Sequence, residues 1–376
     1  MYIIQKHLEN LKRALLPGKA VIIYGARRTG KTTLVKRFLQ DIDEPYLLVS
    51  GEDITVQGYL SSQSIEKLSA FVGDNRLLLV DEAQKVPGIG INLKLIIDHI
   101  PDMRIIATGS SSFDLARAVG EPLTGRKTTL RLYPLSQLEL GQIEQRHQTD
   151  ANLESRLLYG SYPEVVLSND NRTREQYLKE IIASYLYKDV LELDGIRHSS
   201  KISRLLQLMA FQVGKEVSYT ELGTSLGMSK NTIERYLDLL EKAFVILKLS
   251  GFSRNLRSEI TKNSRYYFLD NGVRNALINN FNALELRNDS GELWENYLVI
   301  ERLKRQEYLQ EQSSNYFWRT YSQKEIDLVE EREGKLFGYE MKWGAAQTKP
   351  PKEWLAAYPN ASWQLINRQN YLELIT

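Results

Sequence analysis

Two stretches of the 376-residue sequence bring together side chains suited to handling a nucleoside triphosphate. The first is Gly25-Ala26-Arg27-Arg28-Thr29-Gly30-Lys31-Thr32, with Thr33 directly after it. It satisfies G-x-x-x-x-G-K-[ST] at every fixed position. Gly25 and Gly30 let the backbone wrap an anion without Cβ clashes, so successive N–H groups and a helix N-terminus face the phosphates. Lys31 reaches the β- and γ-phosphates and the Thr32 hydroxyl ligates Mg²⁺. Arg27 and Arg28 are further cations beside the nucleotide. The second stretch is Asp81-Glu82, which follows the aliphatic run Leu77–Val80. Asp81 holds Mg²⁺ through water, and Glu82 polarises the attacking water. ATP with Mg²⁺ is the expected ligand, and phosphoryl transfer to water the expected reaction.

The elements needed to position these groups are legible around them. AVIIY (20–24) reads as a buried parallel strand and TTLVKRFLQ as the helix after the loop. Four aliphatics ending in a carboxylate put Asp81 at the carboxyl end of a central strand, where ligands gather in open α/β sheets. YLLVS (46–50) is one more strand between the two motifs, an order found in AAA-type and related ATPases. Arg104–Ser112 reads as a strand ending in small hydroxyl residues, so Thr108 and Ser110 are candidates to sense the γ-phosphate or the water; a cap on the helix that follows accounts equally well for Ser111 or Ser112. Arg126, on a loop beyond that strand, is a candidate for stabilising transition-state charge in cis or from a neighbouring subunit, with a surface ion pair as the alternative.

The middle of the chain reads as helices followed by a winged helix. Residues 172–193 and 201–213 carry helical periodicity. Ser218–Glu221 forms a capping box, Gly227–Ser229 a turn, and KNTIERYLDLLEKA a second helix that buries Ile233, Leu237 and Leu240. Two strands around a basic loop complete a wing. If this module reads DNA, Lys230, Asn231 and Arg235 face the major groove while Arg254, Arg257 and Lys262 meet phosphates. Over 171–280 there are 17 Lys and Arg against 12 Asp and Glu, an excess hidden in the whole-chain net charge of +2. Docking to protein is the other use of such a fold.

The last third follows the order α-β-β-β-α-β. Asp327 lies on its second strand and Glu340-Met341-Lys342 on its third, where period 2 places Glu340 and Lys342 on one face. Two carboxylates and a lysine on one spot suit metal-assisted phosphodiester cleavage: the acids hold Mg²⁺ or Mn²⁺ and the lysine orients water. Glu295, on the preceding helix, completes the shell. The plain alternative is a Glu340–Lys342 salt bridge in a fold that does not cut.

Composition narrows the classes further. With no cysteine, disulfides, thiolate zinc sites and cysteine nucleophiles are excluded, and the four histidines form no i,i+4 pair. No run of 18 apolar residues suggests a membrane span. The N-terminus lacks an apolar signal core, and its Leu8, Leu11 and Leu15 follow helical spacing instead. The missing export signals point to a cytoplasmic location.

The ordered series GARRTGKTT, LLLVDEAQ, ATGSS, LTGR with LYPLSQLE, GSYPEVV, LYKDV, FLDNGVRNAL, GELWENYLV and WRTYSQKEIDLV through YEMKW resembles a family of prokaryotic AAA-type, STAND-like ATPases with a C-terminal domain of unknown function. The resemblance spans nearly the whole chain. It implies an α/β fold with a P-loop parallel sheet covered by helices on both faces (1–170). An α+β winged helix (171–285) and a small restriction-endonuclease-like α/β domain (286–376) follow. Two functions are consistent with it: an ATP-driven DNA-acting protein with a nuclease-like end domain, or a nucleotide-dependent switch whose end domain binds without cutting. A homo-oligomer is compatible with either.

Overall fold

Short aliphatic runs that alternate between two apolar faces build the first sheet. The computed structural model describes residues 2–110, 123–183, 199–253, 264–320, 322–344 and 348–376. Strands β1 (Lys19–Tyr24), β2 (Tyr46–Ser50), β3 (Leu77–Asp81), β4 (Arg104–Gly109) and β5 (Lys127–Arg131) lie in the order β2-β3-β4-β1-β5, every neighbour parallel. Ile22, Leu78, Val80 and Ile105 face one layer of helices, α3 (Ile54–Leu60), α4 (Ile65–Val72) and α5 (Ile89–His99). Val21, Ile23, Leu79 and Ile106 face the other, α1 (His7–Ala14) and α2 (Lys31–Leu39). The sheet is therefore covered on both sides, the parallel α/β arrangement expected around a phosphate loop. Leu11 and Leu34 are fully buried in the second layer, each contributing about 1.5–3 kcal/mol. Because all strands run the same way, Tyr24, Asp81, Gly109 and Arg131 end at one edge of the sheet.

The contacts divide the chain into two compact units: Tyr2–Pro134 with Lys242–Phe244, and Leu135–Glu241 with Val245–Thr376. The second contains a seven-stranded sheet of order β12-β11-β10-β9-β7-β8-β6. Its strands are β6 (Glu216–Val217), β7 (Ile246–Gly251), β8 (Ser264–Phe268), β9 (Ser314–Arg319), β10 (Glu325–Arg332), β11 (Lys335–Met341) and β12 (Ser362–Ile366). Helices Tyr219–Leu226 and Lys230–Lys242 meet at Gly227, which takes a left-handed conformation (φ +60°). The Ser229 hydroxyl accepts the Thr232 N–H at 3.1 Å, which starts the second of them. The segments 171–285 and 286–376 are joined by parallel pairing of β7 with β9, Ser250 opposite Tyr316 and Gly251 opposite Phe317. They share one sheet within one compact unit, because an edge strand of one finds an open edge in the other. The long helix expected over 172–193 is described as Asn171–Ile181. LYKDV (186–190) lies outside the described residues.

Several of the motifs above serve the interior of this unit. Asp270 accepts the N–H groups of Ser161 (2.7 Å) and Val273 (3.1 Å). Asn275 donates to the carbonyls of Leu157 and Leu158, and Asn296 bonds both backbone groups of Phe268. A Cβ at Gly160 would stand 2.0 Å from the Asp270 carboxylate. GSYP, FLDNGVRNAL and GELWEN are thus one buried polar knot, in which a lost partner leaves a buried group unsatisfied at about 1–3 kcal/mol.

Candidate functional site

The phosphate loop is shaped by close approach. A Cβ on Gly25 would stand 2.1 Å from the Leu132 carbonyl, and Gly30 opens α2 at φ +98°, so neither tolerates a side chain without displacement. Arg28 also takes a positive φ, 67°. The Thr29 hydroxyl donates to the Ala26 carbonyl at 2.9 Å, closing the turn. Lys31 is buried and donates to the carbonyls of Gly25 (2.8 Å) and Ala26 (2.9 Å), which keeps the ammonium over the loop. Arg27 is half-buried, Arg28 exposed, and Thr33 exposed in the first turn of α2.

Across the sheet edge, Asp81 receives hydroxyls on both oxygens: Thr32 at 2.8 Å on one and Thr108 on the other. The Thr108 hydroxyl also accepts the Glu82 N–H at 3.2 Å. Glu82 sits at φ +51°, a conformation costly for a non-glycine residue and concentrated at functional sites. Gln84 donates to Glu82 Oε2 at 2.5 Å and to the Ser110 hydroxyl at 3.2 Å. Hydroxyl and carboxylate oxygens of Thr32 and Asp81 in direct contact form the hard donor set that suits Mg²⁺. The loop, Thr32, Asp81, Glu82, Thr108 and Ser110 are brought together.

Residues 17–141 match the family model described as the AAA domain. This stretch is an AAA-type domain. Residues 150–284 and 290–368 match two domains of unknown function, DUF8612 and DUF4143. The chain is 28% identical over 337 residues to the uncharacterized protein Rv2008c of Mycobacterium tuberculosis, covering 88% of this chain and 72% of that one. It is 24% identical to the uncharacterized protein MJ1544 of Methanocaldococcus jannaschii, covering 84% and 73%. Among solved structures, a Signal Transduction ATPase with Numerous Domains (STAND) protein with a tetratricopeptide repeat sensor from Pyrococcus horikoshii aligns at 14% identity and TM-score 0.29. That alignment covers 81% of this chain and 46% of the solved one.

Arg126 stands apart from the AAA-type site. Its carbonyl accepts the Ala20 N–H at the start of β1, and its guanidinium pairs with Asp98 on α5. In a parallel sheet that is the edge opposite the phosphate loop, so a role in cis is corrected to a surface ion pair. Arg131, at the other end of β5 and opposite Tyr24, is the arginine that this strand carries to the nucleotide edge. Sequence reading missed Gln5 and Gln84. Gln5 is buried and donates to the Thr29 carbonyl at 3.0 Å, with its amide 2.9 Å from where a Gly30 Cβ would lie. Gln84 lies within the quoted LLLVDEAQ, so a polar side chain two residues after Glu82 was the available signal.

In the second unit, Lys230, Asn231 and Arg235 are exposed on the helix Lys230–Lys242, as are Glu234 and Asp238. Asn231, Glu234, Arg235 and Asp238 line a cleft of about 360 Å³ together with Tyr219 and Tyr266. Arg254, Arg257 and Lys262 lie outside the described residues.

The carboxylates of the C-terminal strands do converge. Leu328 pairs with Tyr339 across β10 and β11, so the antiparallel register sets Asp327 opposite Glu340. Lys342 donates to Glu340 at 2.7 Å, the Met341 N–H to Asp327 at 2.8 Å, and Tyr267 to Glu295 at 2.7 Å. Burial, then the charge of Asp327, pushes Glu295 up to about 8 and Glu340 up to about 7. Asp327 is itself raised by burial. Burial opposes the charge on Lys342, yet its bond to Glu340 and the nearby acids raise it above the ordinary value.

The centre of this cluster is a residue sequence reading did not assign. Arg265, on β8, lies 2.6 Å from Glu325 and 3.6 Å from both Glu295 and Asp327. Among the described residues no group of three acidic or histidine side chains is disposed to hold a metal ion. A guanidinium stands among the carboxylates, beside the Asp327 and Glu340 on which the sequence places Mg²⁺ or Mn²⁺. Nothing local marks Arg265, which is 60 residues from Glu325 and meets it only through the shared sheet.

Proposed function

We propose that the AAA-type domain binds MgATP and hydrolyses it, and that its nucleotide state governs how the downstream modules engage DNA. The observation that carries the ATPase reading is the junction of Thr32, Asp81 and Thr108 beside Lys31 and Glu82. Thr32 and Asp81 are the residues that would hold Mg²⁺, which supplies charge neutralisation at the phosphates. Lys31 exchanges its carbonyl partners for phosphate oxygens. Glu82, oriented by Gln84, accepts a proton from water as the general base. Measured turnover with radiolabelled ATP tests these roles. Lys31→Ala abolishes it, whereas Glu82→Gln still binds nucleotide but does not turn over; normal rates in either variant would remove the site assignment.

The helix–turn–helix with its two following strands is read as a winged helix. The basic excess of this region and the exposed Lys230, Asn231 and Arg235 support DNA engagement. A salt titration of duplex binding checks it: affinity falls steeply with salt and weakens in Lys230→Ala. Absence of binding at low salt would leave a nucleotide-dependent scaffold.

A second reading is phosphodiester cleavage by the C-terminal strands, favoured by the convergence of Glu295, Asp327, Glu340 and Lys342. Plasmid incubated with Mn²⁺, with and without ATP, in wild type and Glu340→Ala decides it. Equal nicking in both excludes cleavage at this site.

A further inference from the structure

We propose that Arg265 is a resident counter-cation. Its guanidinium fills the place among Glu295, Glu325 and Asp327 that a divalent ion would need, and holds the nuclease-like constellation closed to metal. The inference rests on the cleavage reading only for the identity of the constellation.

Three observations carry it. The carboxylates already have cations: one guanidinium faces three of them within 3.6 Å, while Lys342 takes Glu340. A divalent ion entering beside a fixed positive charge at such range meets a repulsion several times larger than in water. The lone pairs a metal would use also have donors, the Tyr267 hydroxyl on Glu295 and the Met341 N–H on Asp327.

The arginine is, finally, anchored. It is 3% exposed, and its guanidinium stacks 4.6 Å from the centre of the Phe317 ring. Its backbone is paired on both sides, opposite Glu216 on β6 and Leu249 on β7. To withdraw, the side chain would have to leave the aromatic face and three carboxylates at once, or β8 would have to break two ladders. A planar guanidinium with donors only is the cation suited to such permanent service.

Mn²⁺ binding to the full-length protein without nucleotide, followed by electron paramagnetic resonance, tests the proposal. Wild type and Asp327→Asn should bind Mn²⁺ equally. Arg265→Met, which keeps the bulk and removes the charge, should gain a site about a hundredfold tighter that disappears in the double variant with Asp327→Asn. Asp327-dependent Mn²⁺ binding in wild type overturns the proposal, and this comparison stands even if Arg265→Met does not fold. A folded Arg265→Met that gains no site overturns it too. Plasmid nicking on the same samples separates the two ideas. A variant that binds Mn²⁺ without cutting supports the counter-cation and removes cleavage, whereas Glu340-dependent cutting by wild type does the reverse.

Discussion

Asp81 and Asp327 both sit where strands deliver a carboxylate to a cluster, and their partners differ. Asp81 accepts from two neutral hydroxyls, those of Thr32 and Thr108. A hydroxyl can turn its own oxygen towards a cation, so this pair remains able to take one. Asp327 accepts a backbone N–H and faces the guanidinium of Arg265. Neither partner has an oxygen to offer. Identical side chains therefore lead to opposite chemistry: one cluster is ready for a metal ion, the other already contains its cation.

Several experiments can break or sharpen this contrast. The largest effect is expected from Asp81→Asn, which should lower ATP turnover by about a hundredfold or more, while Asp327→Asn stays within about threefold of wild type. A comparable loss in Asp327→Asn would end the distinction.

Stability separates two arginine pairs next. Arg302 holds Glu330 through bonds of 2.5 and 2.9 Å in a fully buried pair. Arg302→Ala should cost about 3–5 kcal/mol in chemical denaturation because it strands a buried charge. Arg126→Ala, which removes a half-exposed pair with Asp98, should cost less than about 1 kcal/mol. It should leave turnover unchanged; a large fall in turnover would restore Arg126 to the reaction.

The two units should also respond to pH with opposite sign. Glu295 rises from 4.5 to about 8 in the fold, so the folded second unit binds more protons than its unfolded chain across that window. Its stability is greatest below pH 4.5 with respect to this group and declines as pH climbs towards 8. His7, in the first unit, is lowered from 6.5 to about 4 by burial, against a bond to the Arg131 carbonyl. The contribution of that neutral ring is present above pH 6.5 and is lost as pH falls towards 4. Hydrogen exchange followed unit by unit should show both slopes. Glu295→Gln should flatten the first, and an unchanged slope would refute the burial account. A smaller fall in turnover than that of Asp81→Asn is expected from Gln84→Ala, roughly tenfold with nucleotide affinity kept, since Gln84 acts by orienting Glu82. A change in affinity alone would relocate its role.

Legibility followed sequence distance. Gly25, Gly30, Lys31 and Thr32 could be read directly, because loop, lysine and hydroxyl lie within eight residues and each has a local reason. Glu340 and Lys342 were readable as a pair through period 2. Gln5 could not be, since its bond to Thr29 spans 24 residues, and composition does not announce which glutamine caps a loop. The regions around 171–285 and 286–376 read as separate modules because their helix and strand patterns are self-contained. Only the β7·β9 pairing merges their strands.

The sequence alone determined the phosphate cradle and the acidic strand that serves it. Their determinants are local: backbone freedom at glycine, fixed spacing of a lysine and a hydroxyl, and an aliphatic run that must be buried. Tertiary structure decided which edge of the sheet carries Arg126, and that Arg265 stands among the carboxylates of β10 and its neighbours. Periodicity says which face of a strand a residue occupies, but not which strand lies beside it. Whether a cluster of acids meets a metal or an arginine depends on that neighbour.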